Sequence, residues 1–347
     1  MITPKIAAKA APTGAAPTTA HARARSNIAL IKYWGKADSR LNLPAVGSIS
    51  ITLEALWSDT SVEFEAAHRV DELTLNGERN PNHLARVTAC LDMLRGIAGV
   101  NVHARVSSRN SFPTGAGLAS SASGFAALVS AAAAALGLEL SPREQSIIAR
   151  RASGSAARSI FGGFVEMHVA KRADGTDSFA EPMLAADEWP LEVVVAITAT
   201  REKDVSSSRG MTRSAESSPY YRAWVDSHPA DLAVARAAIG ARDFAALGEV
   251  AESNCLKMHA AAMAASPPLL YWNGATVECL NRVRDLRAAG TPVFFTIDAG
   301  PQVKAVCAPG ASNAVRAALA DVPGVLDTLV TGLGPGVEVG AGPRAAG

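Results

Sequence analysis

Residues 113–122 read Pro-Thr-Gly-Ala-Gly-Leu-Ala-Ser-Ser-Ala and run directly into a long alanine-rich segment. The proline sets a turn, and Gly115 and Gly117 let backbone N–H groups converge on one point. A helix is predicted over about 119–137, and its N-terminus presents unpaired N–H groups and the positive end of the helix dipole. This combination favours a bound phosphate. The chain has no GxxxxGK[ST] loop, so a helix entry without a ligand is the alternative.

The segments before this stretch alternate apolar and polar residues, which is the period of a half-buried strand. We predict strands over 48–54, 60–65 and 102–106, with a tight turn at Asn76-Gly77. The N-terminal half therefore combines strands with helices.

The segments after the glycine-rich stretch continue the mixture of helices and strands. A helix is predicted over 142–151, because Ser141 is a suitable cap and Pro142 a suitable first residue. The remaining predictions are a buried strand over 191–198, a loop and helix start over 204–218, helices over 229–265 and 273–289, and a strand over 292–298. We place a domain boundary near residue 195.

The overall composition indicates a folded protein with a buried core. Of 347 residues, 48% are hydrophobic and 19% charged, which is ample for a buried core. A net charge of +1 gives no global field that would recruit nucleic acid or an anionic membrane. No apolar run is long enough to span a bilayer.

The four cysteines are scattered, which argues against a disulfide framework or a zinc site. Their pattern fits a reducing compartment, and we expect a cytoplasmic protein. The first 26 residues are rich in Ala, Pro and Thr and carry basic but no acidic residues. A transit-like segment is one interpretation, but we favour a disordered, non-functional tail.

Two cationic segments are candidates for anion binding. Lys32, Tyr33 and Lys36 lie in a segment otherwise apolar enough to be buried, where a lysine needs an anionic partner. Arg158 follows a run of small residues that lets a ligand approach, and a guanidinium can hold a carboxylate or phosphate with two hydrogen bonds. A structural ion pair with Asp or Glu is the alternative for both.

Asp298 ends an apolar strand and precedes Ala-Gly-Pro, which forces an abrupt turn. A carboxylate in such a place is suited to act as a base or orienting group. From the residues alone, a turn-capping role is favoured instead. Likewise, the serine run 206–208 beside Lys203 and Arg209 suits a terminal phosphate, although serine runs are more often loops.

Four blocks taken together give a more specific indication. They are 27–36 (NIALIKYWGK) followed by Leu43-Pro44, 153–163 (SGSAARSIFGG), 205–211 (VSSSRGM) and 295–301 (FTIDAGP). With the glycine-rich stretch, they resemble the GHMP superfamily of small-molecule kinases and, within it, the diphosphomevalonate decarboxylase family.

The resemblance implies a two-lobed α+β GHMP kinase fold, with a ribosomal-S5-like N-terminal lobe and a ferredoxin-like C-terminal lobe. We accordingly expect a disordered extension over 1–20, an ATP-binding lobe over 21–195 and a second lobe over 196–340. Family members are commonly homodimers, so a homodimer is expected here.

The resemblance also implies ATP-dependent phosphorylation and decarboxylation of 5-diphosphomevalonate, with Mg²⁺ carried by ATP and Ser121 its candidate protein ligand. The implied catalytic residues are Asp298 as acid/base, Lys32 and Arg158. The implied substrate-binding residues are Asn27, Tyr33, Trp34, Gly35, Lys36, Arg79, Ser153, Gly154, Ser155, Ala156, Ala157, Ser207 and Ser208. The implied ATP-binding residues are Asn110, Pro113, Gly115, Ala116, Gly117, Leu118, Ala119, Ser120 and Ser121.

Some assignments within this set remain open. Arg79 is matched to a family arginine that reaches the diphosphate, and Ser208 stands where the family usually has threonine. Trp34 and His259 are interpreted first as packing residues. The alternative functions are a phosphomevalonate decarboxylase, a mevalonate 3-kinase, or a non-catalytic metabolite-binding protein of the same fold.

Overall fold

The computed structural model describes residues 9–10, 19–112, 120–201 and 203–340. The strands are β1 Lys9–Ala10, β2 Thr19–Ile31, β3 Lys36–Asp38, β4 Leu43–Pro44, β5 Ser48–Glu65, β6 Glu72–Leu75, β7 Glu78–Arg79, β8 His103–Asn110, β9 Leu138–Glu139, β10 Phe164–Met167, β11 Ala180–Leu184, β12 Glu192–Ile197, β13 Val293–Thr296, β14 Val303–Cys307, β15 Asp327–Gly332 and β16 Glu338–Gly340. The α-helices are α1 Pro81–Ala98, α2 Ser120–Ala135, α3 Pro142–Ala152, α4 Ser207–Ser217, α5 Tyr221–Ala241, α6 Phe244–Met263, α7 Gly274–Ala288 and α8 Ser312–Ala320, and a 3₁₀ helix spans Gly154–Ile160.

The N-terminal lobe is built on one long strand, β5. It runs antiparallel to β2 on one side and to β8 and β10 on the other. The two strands predicted over 48–54 and 60–65 are therefore one, and their separation was wrong. The linking residues 55–59 contain no glycine or proline, so nothing in the chain breaks the extended conformation.

Helix α2 lies against β2 and β5, and its position follows from its small side chains. Ala126, Ala131 and Ala132 are fully buried, so the helix axis approaches the sheet closely. The Ser123 hydroxyl lies 2.7 Å from that of Ser58 in β5, which ties the first turn to the sheet. The helix predicted over 119–137 is confirmed over Ser120–Ala135, and the contact with Ser58 fixes the position of its first turn.

Three further local predictions are confirmed in this lobe. The strand predicted over 102–106 is β8, and Asn76-Gly77 joins β6 to β7 with positive φ at both residues. Helix α3 begins as expected, because Ser141 and Glu144 form a reciprocal capping box ahead of Pro142 at the first turn.

The C-terminal lobe has a four-stranded antiparallel sheet in the order β13-β14-β12-β15. The predicted strands 191–198 and 292–298 correspond to β12 and β13, and the predicted helix 273–289 to α7. The α+β class is thereby confirmed. Residue 195 lies within β12, and β16 returns to pair with β2, so the division of the chain near 195 stays a prediction.

Two helical predictions in this lobe require correction. Most of 204–218 is helix α4 rather than loop, because Ser206 caps it by accepting from the Arg209 N–H. The predicted helix 229–265 is two helices, α5 and α6, and the first begins at Tyr221. They separate at Arg242, whose backbone is left-handed (φ 55°), and Asp243 caps the second.

The disordered tail favoured over the first 26 residues is wrong for residues 21–26, which lie in β2, and the disordered extension over 1–20 stays a prediction. Lys9–Ala10 pairs with β9, and β2 already begins at Thr19. Ala20, Ala22 and Ala24 alternate into the core, a strand pattern that the alanine-rich composition concealed. Residues 1–8 and 11–18 lie outside the described part of the chain. Among the described helices, none has the length and hydrophobicity needed to cross a membrane.

We predict that Ala131→Leu destabilises the protein by about 1–3 kcal/mol, because the added atoms have no space between α2 and the sheet. Ala134→Leu, at a half-buried position of the same helix, is the control and should cost less. Urea denaturation of both variants measures the difference. Equal losses would show that close packing of this helix is not the constraint.

Candidate active site

A cavity of about 610 Å³ lies between the two lobes. It is bordered by the end of β2, the start of α2, the 3₁₀ helix, the start of α4 and the turn after β13. The predicted site residues that line it are Asn27, Lys32, Tyr33, Trp34, Lys36, Ser120, Ser121, Ser153, Gly154, Ser155, Arg158, Ser207, Ser208 and Asp298. Elements from both halves of the chain thus meet at one cavity that many polar side chains line.

Asp298 is positioned in the turn just after β13, with a quarter of its side chain exposed. The Lys32 ammonium donates to its Oδ1 at 2.8 Å, and the Lys304 ammonium lies 3.9 Å from its Oδ2. Burial acts to raise the pKa of Asp298, but Lys32, Lys304 and Arg158 together lower it to about 2. Asp298 is therefore an ionised carboxylate at any physiological pH.

Lys32 follows the last residue of β2 and is almost completely buried, with 1% of its side chain exposed. Its ammonium donates both to Asp298 and to the Ala29 carbonyl oxygen, at 2.8 Å each. Removing one partner of such a buried pair typically costs about 3–5 kcal/mol, because the other charge is left uncompensated. The structural ion pair that was the alternative interpretation of Lys32 is therefore present. Its partner is the Asp298 carboxylate, which also lines the cavity.

Arg158 lies in the 3₁₀ helix and is buried. Its Nε and Nη2 donate to the Asn27 Oδ1 at 3.2 and 3.1 Å, and its Nη1 donates to the Ser48 hydroxyl at 2.8 Å. These acceptors are neutral, and burial lowers the pKa of Arg158 to about 10. The guanidinium remains charged at neutral pH and faces the cavity without a carboxylate among these hydrogen-bond acceptors.

The start of α4 brings hydroxyl groups and ammonium groups together. Lys36 donates to the Ser208 hydroxyl at 3.0 Å, and Lys203 donates to the Ser207 hydroxyl at 2.8 Å and to the Ala299 carbonyl at 2.7 Å. Burial lowers the pKa of Lys203 to about 8. Cations, hydroxyls and a helix N-terminus in one place suit a phosphate group.

Small residues bring Tyr33 into the cavity wall. A Cβ on Gly154 would overlap the Tyr33 hydroxyl, so only glycine permits this approach. Burial raises the pKa of Tyr33 to about 12, which keeps the phenol protonated. Ala156 and Ala157, also predicted to bind substrate, are fully buried behind this surface and do not line the cavity.

Trp34 and His259 are fixed by packing, as interpreted from the sequence. Trp34 is buried and donates from Nε1 to the Ser214 hydroxyl at 3.1 Å. His259 lies 3.2 Å from the Ile297 carbonyl, and burial lowers its pKa to about 3. Gly35 does not line the cavity; it has a positive φ of 107°, and a Cβ there would overlap the Tyr221 hydroxyl.

Arg79 lies away from the cavity. Its side chain is 82% exposed and pairs with Glu72 at 3.1 Å. The cavity instead has two arginines that sequence reasoning missed, Arg86 on α1 and Arg151 on α3. Arg151 lies just before the small-residue run at 153–157. This position next to a predicted ligand-binding run could have identified Arg151 from the sequence. Lys304 was also missed, because its strand is otherwise apolar.

A second, smaller cavity of about 90 Å³ adjoins the start of α2. Ser120 and Ser121 line both cavities, whereas Asn110 lines only the smaller one. Most of its remaining lining is apolar, from Leu73, Leu75, Val87, Val106, Phe125 and Leu128. The other predicted ATP-binding residues, Pro113, Gly115, Ala116, Gly117, Leu118 and Ala119, lie outside the described residues.

The chain resembles known proteins along most of its length. Residues 24–180 match the model of the diphosphomevalonate decarboxylase-like N-terminal domain, and residues 193–322 match that of the mevalonate 5-diphosphate decarboxylase C-terminal domain. Diphosphomevalonate decarboxylase of Aspergillus fumigatus is 40% identical over 295 residues, covering 79% of this chain and 73% of that protein.

Solved structures show the same similarity. The mevalonate diphosphate decarboxylase of Staphylococcus aureus has a TM-score of 0.88 and 38% identity, covering 93% of this chain and 98% of that one. A structure described as MDDEF in complex with MVAPP, AMPPCP and magnesium has a TM-score of 0.86 and 41% identity, with the same coverage of 93% and 98%.

We predict that Lys304→Met raises the pKa of Asp298, because it removes a cation 3.9 Å from the carboxylate. A ¹³C NMR titration of the aspartate carboxyl carbons measures this value, and the Asp298→Asn variant identifies the signal. Lys171→Met, at an exposed lysine, is the control and should leave the pKa unchanged. An unchanged pKa in Lys304→Met would refute the assigned influence of Lys304.

Proposed function

This chain belongs to the diphosphomevalonate decarboxylase family, and from that premise we propose the reaction and the residue roles that follow. The protein catalyses the ATP-dependent phosphorylation and decarboxylation of (R)-5-diphosphomevalonate to isopentenyl diphosphate, ADP, phosphate and CO₂. The main support for the residue roles is the ion pair between Asp298 and buried Lys32, in a cavity whose other charged side chains are cationic.

The charges of the cavity suit such a substrate. Diphosphomevalonate carries a carboxylate and a diphosphate, and ATP adds a triphosphate. The cavity lining offers six cationic side chains, Lys32, Lys36, Arg86, Arg151, Arg158 and Lys203, against the carboxylate of Asp298. The diphosphate lies beside Tyr33, Lys36, Ser153, Ser155 and Ser208, with Arg86 and Arg151 replacing Arg79 as the supporting cations.

Asp298 orients the tertiary 3-hydroxyl of the substrate by accepting its hydrogen bond. The hydroxyl oxygen attacks the γ-phosphorus of ATP, the bond to the leaving ADP oxygen breaks, and the hydroxyl proton passes to an oxygen of the transferred phosphoryl group. A carboxylate with a pKa of about 2 is a weak base, so its contribution is alignment and electrostatic stabilisation more than removal of the proton. Lys32 keeps this carboxylate ionised and in place.

Arg158 holds the substrate carboxylate. Its present acceptors, Asn27 and Ser48, fix the plane of the guanidinium while its charge remains available. After phosphorylation, the C3–O bond breaks and phosphate departs. The electrons of the bond between the carboxylate carbon and C2 form the new double bond, and CO₂ leaves.

ATP lies across both cavities in this proposal. Its phosphates approach the N-terminus of α2 and the preceding 113–119 stretch, and its adenine occupies the smaller apolar cavity beside Phe125 and Leu128. Hydroxyl oxygens suit Mg²⁺, and Ser121, whose hydroxyl lies 3.3 Å from that of Ser153, is the residue that would hold it. Bound Mg²⁺ neutralises phosphate charge.

Three further properties are proposed with this function. The division into lobes near residue 195 and the homodimeric state rest on the family resemblance. A cytoplasmic location is supported by Cys90, Cys255, Cys279 and Cys307, which are all free and buried.

The substrate is tested by incubating the protein with ATP, magnesium and either mevalonate, its 5-phosphate or its 5-diphosphate, while ADP and CO₂ are measured separately. We expect equal amounts of ADP and CO₂ with the diphosphate alone. CO₂ mainly from the monophosphate would assign a phosphomevalonate decarboxylase, and ADP without CO₂ a 3-kinase. Neither product from any substrate would indicate a non-catalytic binding protein.

We predict that Asp298→Asn lowers kcat by a hundredfold or more, because the hydroxyl loses its charged acceptor. Asp177→Asn, at a loop aspartate that accepts from the Lys171 and Arg172 N–H groups, is the control and should keep full activity. Steady-state ADP release measures both variants. Unchanged turnover in Asp298→Asn would remove Asp298 from the mechanism.

A further inference from the structure

Asn254 lies on α6 and is completely buried, yet it is outside the cavity lining. Its Oδ1 accepts from the Lys32 backbone N–H at 2.7 Å, and its Nδ2 donates to the Asp231 Oδ2 at 2.8 Å. A backbone N–H can only donate and an ionised carboxylate can only accept, so the orientation of this amide is fixed. Asp231 is itself held by Lys257 at 2.8 and 2.9 Å.

His228 on α5 extends the same network. Its Nε2 lies 2.8 Å from the Gly47 carbonyl oxygen and therefore carries the proton, which leaves Nδ1 as the acceptor facing the Asn254 Nδ2 at 3.4 Å. Burial lowers the pKa of His228 to about 4, in keeping with a neutral ring.

The two ends of this network reach one segment that contains the cavity cation Lys32 and another that contacts the cavity cation Arg158. One end holds the backbone of Lys32, whose ammonium meets Asp298. The other holds Gly47, and the next residue, Ser48, accepts from Arg158. Helices α5 and α6 of the C-terminal lobe therefore hydrogen-bond to both N-terminal-lobe segments, α6 through Asn254 to Lys32 and α5 through His228 to Gly47.

We propose that Asn254 is a positioning residue, which with His228 fixes Lys32 and the Gly47–Ser48 segment so that Lys32 meets Asp298 and Arg158 faces the substrate. This inference rests on the proposed function for its kinetic consequence. Its geometric consequence, the Lys32–Asp298 contact, does not depend on the identity of the substrate.

Exchange of the two interacting groups tests the proposal. Asn254→Asp turns the donor toward Asp231 into a carboxylate, so two carboxylates face each other across 2.8 Å. The double variant Asn254→Asp with Asp231→Asn restores one donor and one acceptor between these two positions and still presents an oxygen to the Lys32 N–H. The His228 Nδ1 loses its 3.4 Å donor in both the single and the double variant. Asn313→Asp, an exposed asparagine on α8, is the matched control.

Two readouts separate positioning from simple stability. We expect Asn254→Asp to raise the pKa of Asp298 by a unit or more in ¹³C NMR, because Lys32 moves away. We also expect kcat for the diphosphate substrate to fall at least tenfold, with KM for ATP changed less than twofold. The double variant should recover most of both effects, and the control should show neither.

Other outcomes would overturn the proposal. A folded Asn254→Asp protein with unchanged pKa of Asp298 and unchanged kcat would refute it, and so would a double variant that recovers the melting temperature but neither the pKa nor kcat. Should Asn254→Asp fail to fold, Asn254→Ser, which removes the bridge with a smaller perturbation, must show the same two effects. If the wild type released no ADP, the proposed function would fail, and the pKa readout alone would decide the positioning role.

Discussion

The contact between the Lys32 ammonium and the Asp298 carboxylate is the interaction on which the arrangement of the charged groups in the cavity depends. Lys32 comes from the end of β2 in the N-terminal lobe and Asp298 from the turn after β13 in the C-terminal lobe. A lysine buried to this extent requires a nearby anion, and the carboxylate that it contacts comes from the other lobe and lines the intervening cavity. The network of Asn254 and His228 holds the Lys32 backbone from behind.

The same ion pair sets the chemistry of the cavity. Three cations, Lys32, Lys304 and Arg158, keep Asp298 ionised despite its burial, at the cost of its strength as a base. A carboxylate of this kind aligns a hydroxyl and compensates developing charge better than it removes a proton. Phosphoryl transfer needs mainly positioning and charge neutralisation, which the surrounding cations and the N-terminus of α2 supply.

Local patterns in the sequence predicted the elements that lie close together in the chain. The capping of α3, the turn at Asn76-Gly77 and the cavity positions of Lys32, Arg158 and Asp298 are examples. Features that depend on contacts between segments far apart in the chain were not predicted. Lys304 comes close to Asp298 only because β14 pairs with β13. The exposure of Arg79 depends on the position of the β6–β7 hairpin relative to the cavity. The long strand β2 pairs with both halves of β5, across a register shift between Arg25 and Asn27, and the two predicted strands are therefore one.

The pH dependence of the phosphorylation step tests the role of Asp298 most directly. Rapid-quench measurement of ADP formed in the first turnover, between pH 5 and 8 with saturating diphosphate substrate and ATP, isolates that step. An orienting carboxylate with a pKa of about 2 predicts a rate that does not fall through the ionisation of a carboxyl group in this range. A rate that falls below pH 6 and follows a single ionisation, absent in Asp298→Asn, would contradict the account and identify Asp298 as a general base.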